Sequence, residues 1–82
     1  IGNGAGGTGQ GNSAIAIGVS AGVTSQAANS IVINASGAAL DNTITNVFIV
    51  KPVRGVVGAS LPSGFKPVAY NPTTGEFIYY DA

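Results

Sequence analysis

The run Ala14-Ile15-Ala16-Ile17-Gly18 returns sixteen residues later as Ser30-Ile31-Val32-Ile33-Asn34, and sixteen further on as Asn46-Val47-Phe48-Ile49-Val50. Ile1-Gly2 falls on the same spacing, aligned with Ile17-Gly18. Each complete copy is a short β-branched run, and the links between copies are rich in Gly, Ala, Ser, Thr and Asn. β-Branched side chains favour the pleated strand, and this glycine density disfavours a helix. A repeat this short cannot bury an apolar face of its own, so successive copies must stack on one another. The pattern predicts an all-β chain of parallel coils.

Within each run the alternation separates two faces. Ile15 with Ile17, Ile31 with Ile33, and Val47 with Ile49 point one way. Ala14, Ala16 and Gly18, then Ser30, Val32 and Asn34, point the other. The expectation is that the larger face fills the interior, leaving the small-residue face to approach a neighbouring subunit. Gly6-Gly7, Gly11-Asn12-Ser13 and Ala28-Asn29-Ser30 suit tight turns and left-handed backbone positions.

The chain divides near residue 46. All six aromatic residues and five of the six charged ones lie at or after Phe48; only Asp41 precedes it. Lys51-Pro52-Val53-Arg54-Gly55-Val56-Val57 reads as extended, with Pro52 unable to donate to a central ladder. Leu61-Pro62-Ser63-Gly64 is a turn signal. Pro67-Val68-Ala69-Tyr70 and Phe77-Ile78-Tyr79-Tyr80, joined across Asn71-Pro72-Thr73-Thr74-Gly75-Glu76, read as a β-hairpin with Gly75 at positive φ. Residues 1–46 are thus read as a repeat region, and 47–82 as a closing β segment that caps the last open edge.

Composition bears on assembly. Only 7% of the 82 residues are charged, and residues 1–40 carry no charged side chain. A soluble monomeric domain ordinarily has about a quarter of its residues charged. Apolar runs fall far short of the ~20 residues a membrane-spanning helix needs. Residues 1–40, with no basic start and no continuous apolar stretch, are not expected to act as a secretory signal. Burial against copies of itself is the expected solution, as an obligate homo-oligomer. The chain starts at Ile1 and is expected to be a processed product or an excised fragment.

Two resemblances rest on these residues. Ala14-Ile15-Ala16-Ile17-Gly18-Val19-Ser20-Ala21 resembles the Ala-Ile-Gly repeats in the heads of trimeric autotransporter adhesins, the YadA-like left-handed parallel β-roll. The likeness covers residues 1–46 and implies a homotrimer of side-by-side coils. The period of sixteen is longer than is usual there, and Asn34 replaces the repeat glycine. Asn46-Val47-Phe48-Ile49-Val50-Lys51-Pro52-Val53-Arg54, with Tyr70-Asn71-Pro72-Thr73-Thr74-Gly75-Glu76-Phe77, is similar to a segment of large-DNA-virus and phage fibre or spike proteins. There it precedes an intramolecular chaperone that cleaves itself off, which would put Asp81-Ala82 near a release point. The implied role is a structural fibre or spike segment at the virion surface, serving host attachment. The alternative is an adhesin head on a bacterial cell surface, binding host matrix or glycans. Ile15, Ile17, Val32, Ile33, Phe48 and Ile49 are the candidates for trimer packing. Lys51, Arg54 and Tyr80 are the candidates for contact with a host glycan or receptor.

Catalytic chemistry has few tools here. There is no His or Cys to supply an imidazole base or a thiolate. Asp41 with Glu76 or Asp81 is the only carboxylate pairing of the glycosidase type, and Asp41 reads better as a turn residue. The chain is therefore not expected to be an enzyme. Gly2-Asn3-Gly4-Ala5-Gly6-Gly7 matches a phosphate-loop fingerprint without its flanking strand and helix. No cofactor or metal site is expected, and nucleic acid is disfavoured at zero net charge. Asn34-Ala35-Ser36 is a formal glycosylation sequon, and Asn34 reads better as a structural residue. Thr43-Ile44-Thr45 is the one Thr-x-Thr segment, too little for an ice-binding array.

Overall fold

The computed structural model describes residues 1–58, 60–74 and 76–81. Gly75 and Ala82, to which the sequence assigned a positive φ and a chain-release point, lie outside them. The described residues contain no helix. Five strands follow one another: β1 (Ile15–Ile17), β2 (Ile31–Asn34), β3 (Phe48–Lys51), β4 (Val68–Tyr70) and β5 (Phe77–Tyr79). β1, β2 and β3 form a parallel sheet in that order, and β4 and β5 an antiparallel pair.

Parallel strands need long crossovers, usually helical. Here each crossover is built from turns that themselves stack. Positive-φ positions recur sixteen residues apart as Gly2 and Gly18, Gly4 and Ser20, Gly6 and Gly22, Gly9 and Ser25, and Ser13 and Asn29. Between them the ladder continues outside the strands: Gly6 N donates to Ala21 O at 2.9 Å, Thr8 N to Val23 O at 2.9 Å and Gly11 N to Gln26 O at 2.8 Å. Gly18 N donates to Ile1 O at 2.7 Å, which places Ile1-Gly2 on Ile17-Gly18 as the sequence spacing requires. The approach is closest at Gly18, where a Cβ would overlap the carbonyl oxygen of Asn34.

The third segment departs from the period. Ile15 pairs with Ile31, sixteen residues on, but Ile31 pairs with Phe48, seventeen on. The alignment of Val47 with Ile31 is therefore displaced by one residue. Gln10, Gln26 and Asn42 keep the spacing of sixteen, as Gly11 N and Ala27 N donate to the Gln26 and Asn42 carbonyls. The left-handed corner at Ser13 and Asn29 then falls on Asn46. The additional residue thus lies between Asn42 and Asn46, where Thr43-Ile44-Thr45 stands in place of Ala27-Ala28. Asn42 absorbs it: its Nδ2 donates to Ile44 O at 2.7 Å and its Oδ1 accepts from Ile44 N at 3.1 Å.

One residue of slip turns every side chain over. Phe48 and Val50 share a face with the isoleucines, and Ile49 turns inward. The two faces also exchange the roles expected of them. Ala16, Ala21 and Val32 are buried, with Ala5, Leu40 and Ile49 packed against them. Ile15, Ile17, Ile31, Phe48 and Val50 are exposed. The cause is space. The enclosed side is already occupied by stacked amides, and a Cβ on Gly22 would collide with the Gln26 side chain. Alanine and valine fit there.

Those amides form a polar spine. Gln10 Nε2 donates to Gln26 Oε1 at 3.2 Å, and Gln26 Nε2 reaches Ile15 O at 3.0 Å and Ser30 Oγ at 3.1 Å. Gln26, Ser30, Asn34 and Asn42 are all buried. Among the described residues no buried side-chain nitrogen or oxygen lacks a partner. Gln26→Ala removes the hub, leaving the Ser30 hydroxyl and Gln10 amide without it, and opens a void. We expect a loss of about 2–4 kcal/mol in urea unfolding. Gln10→Ala, at an exposed position, is expected to cost about 1 kcal/mol or less by the same measurement.

Candidate interaction face

The parallel register sets the outer side chains in two columns: Ile15, Ile31 and Phe48, then Ile17, Ile33 and Val50. Strand spacing of about 4.8 Å makes each column a continuous apolar stripe. In the first column the residues are 50%, 38% and 49% exposed, so the stripe is open to solvent in the isolated chain.

The antiparallel pair stands beside this stripe. The Phe77 ring meets Phe48 edge to face at a centroid distance of 6.1 Å and lies 4.8 Å from Tyr70. Between the two sheets runs an open groove of about 860 Å³, floored by Ile31, Ile33 and Phe48 and walled by Tyr70 and Phe77. Asn29 and Asn46, both in left-handed corner positions, line it too. β4 and β5 bury no side chain of their own. Asn71 orders their connection, its Oδ1 accepting from Thr73 N at 2.9 Å.

The trimer-packing candidates divide between the two sides. Ile15, Ile17, Ile33 and Phe48 stand on the outer face. Val32 is fully buried and Ile49 packs against it, both inside their own chain. Residues 31, 50, 70 and 77 join the outer face, although the sequence reading did not nominate them. The register slip concealed Val50, and no local signal links Phe48 to Phe77. Lys51 is exposed at the end of β3. The Arg54 guanidinium sits 6.0 Å from the Phe65 ring centroid. Tyr80 is exposed, and so is Tyr79, although alternation separates their faces.

The carboxylates are engaged separately. Asp41 Oδ1 accepts from Thr24 N at 3.0 Å. One segment earlier, the equivalent Thr8 N is taken by a backbone carbonyl, so Asp41 substitutes for a missing ladder acceptor. Asp81 pairs with Lys66 at 2.7 Å in a surface contact of small energetic weight. The glycine run at residues 2–7 lies in turns with no helix after it. Asn34 Nδ2 donates to Val19 O and Ala38 O, and its Oδ1 accepts from Ser36. The sequon asparagine is thus an internal bracket that organises the 35–39 corner.

No helix of the described residues is long and apolar enough to cross a membrane. No family model, curated protein or solved structure matches this chain.

Proposed function

We propose that this chain is a structural segment of a homotrimeric fibre or spike on the surface of a virion or phage, near a host-contacting end. In this reading the stacked segments are coils of a left-handed parallel β-roll. The β4–β5 hairpin closes the last coil, and three chains pack through their outer stripes. The role is mechanical rather than catalytic: backbone ladders and intersubunit burial make a stiff element that presents a tip. Contact with a host glycan falls to the exposed Tyr79 and Tyr80, since aromatic faces stack on sugar rings.

A single observation carries the reading. The chain exposes 5907 Å², whereas a compact chain of its mass exposes about 4,400 Å², leaving an excess of about 1,500 Å². Its radius of gyration is 15.0 Å, against about 12 Å for a compact domain of this length. Among the described residues the buried apolar ones are Ala16, Ala21 and Val32, too few to offset the conformational entropy of ordering such a chain. The excess per chain is of the size that obligate interfaces bury.

Size-exclusion chromatography with light scattering at low micromolar concentration is expected to give a particle of about 24 kDa, a closed threefold ring of chains. The chain itself is 8.0 kDa. A well-folded particle of single-chain mass under those conditions removes the proposal.

A further inference from the structure

Residues 52–58 leave β3 and touch little. Val53 is 74% exposed and Val57 fully so, with Val56 about half exposed. A Cβ added at Gly55 would meet nothing within 4 Å. Among the described residues, no hydrogen bond ties this arm to the rest of the chain. Three valines in seven residues held in water, with no partner, are costly on any apolar-area accounting.

The same chain also holds an unfilled apolar receptacle, the groove over Ile31, Ile33 and Phe48. The arm follows directly on β3, whose Phe48 lines the groove, and no residue of the arm lines it. The chain is only 18 Å across its shortest dimension. Seven extended residues reach about 23 Å, enough to cross onto a neighbour packed against that dimension. Charge agrees. Arg54 rides on the arm, and Glu76 adjoins Phe77 at the groove wall. Among the described residues neither is in an ion pair; the one present joins Lys66 to Asp81.

We propose that residues 52–58 of each chain lie in the groove of a second copy, with Val53, Val56 and Val57 against its Ile31, Ile33, Phe48 and Phe77. The inference rests on the self-association proposed above and specifies how the copies are held: each chain lends an arm and receives one. Around a threefold axis the exchange closes on itself and leaves no groove empty.

The absence of cysteine from the chain makes the test clean. Val57→Cys is combined in the full chain with Ile31→Cys, Ile33→Cys or Phe48→Cys in turn. Each variant is assembled, oxidised, and examined by light scattering and on a denaturing gel. The expected result is three-chain particles in solution and, on the gel, a covalent three-chain species from at least one pair, with the single-cysteine chains running there at single-chain mass. If the particles assemble but no pair bridges between chains, or bridges form only within a chain, the arm assignment falls and the assembly stands. Single-chain particles throughout overturn both. In a second measurement, Val56→Asp with Val57→Asp is expected to weaken association at least ~100-fold. Unchanged association overturns the arm exchange.

Discussion

Gly18→Ala is expected to abolish the folded ladder, with a loss of about 4 kcal/mol or more, comparable to the whole stability of a small domain. Two costs coincide. Gly18 has φ of 110°, a region in which a side chain is strained wherever it is placed. The new methyl would also occupy the position of the Asn34 carbonyl oxygen, which is backbone and cannot rotate away. Relief requires the two segments to part, breaking the interlocked bonds around Ile1, Gly18 and Asn34. Gly37→Ala separates the two costs. Gly37 also has positive φ, at 84°, but nothing lies within 4 Å of a Cβ there. Its substitution should cost about 1–2 kcal/mol, the conformational share alone. Urea unfolding followed by far-ultraviolet circular dichroism measures both. Equal losses at the two positions would show that close stacking at Gly18 is not what constrains it.

The second large effect separates the two faces of β2. Val32→Asp puts a carboxylate among Ala16, Ala21 and Ile49, at a position with no solvent exposure. Its desolvation costs more than a small domain can spare, so the chain should be unfolded at every concentration. Ile31→Asp, one residue away, puts the same charge on the outer stripe. If copies associate as proposed, the damage there is to association, by ~100-fold or more. Because assembly stabilises folding by mass action, raising the protein concentration should restore the β signal of Ile31→Asp and leave Val32→Asp unfolded. Matching behaviour of the two variants would refute the assignment of inner and outer faces.

That assignment shows where sequence reasoning stops. The runs at residues 15, 31 and 47 announced strands because side-chain stiffness and the pleat act locally. The turns were legible as well: Ser13, Asn29 and Gly64 occupy the left-handed positions that their composition suggested. Gln10, Gln26 and Asn42 carried a readable signal in their spacing of sixteen, since stacked amides can bond from one segment to the next. The extra residue at Thr43-Ile44-Thr45 was not readable. A fixed period assumes equal segments, and the Asn42 turn accommodates the insertion without any break in composition. The groove was hidden for a different reason. Phe48 and Phe77 stand far apart in the chain, and only the docking of one sheet beside the other brings their rings together.

Local backbone chemistry alone was enough to dictate an all-β chain, the places of its first three strands to within a residue and several of its corners. Alternation also dictated which neighbouring residues share a side. It could not dictate which side is enclosed, because that depends on the room left when the corners close and the amides stack. Folding in three dimensions decided that alanine and valine go inside, and that isoleucine and phenylalanine stand outside on an exposed stripe. The interior volume, a property of no single residue, made the choice.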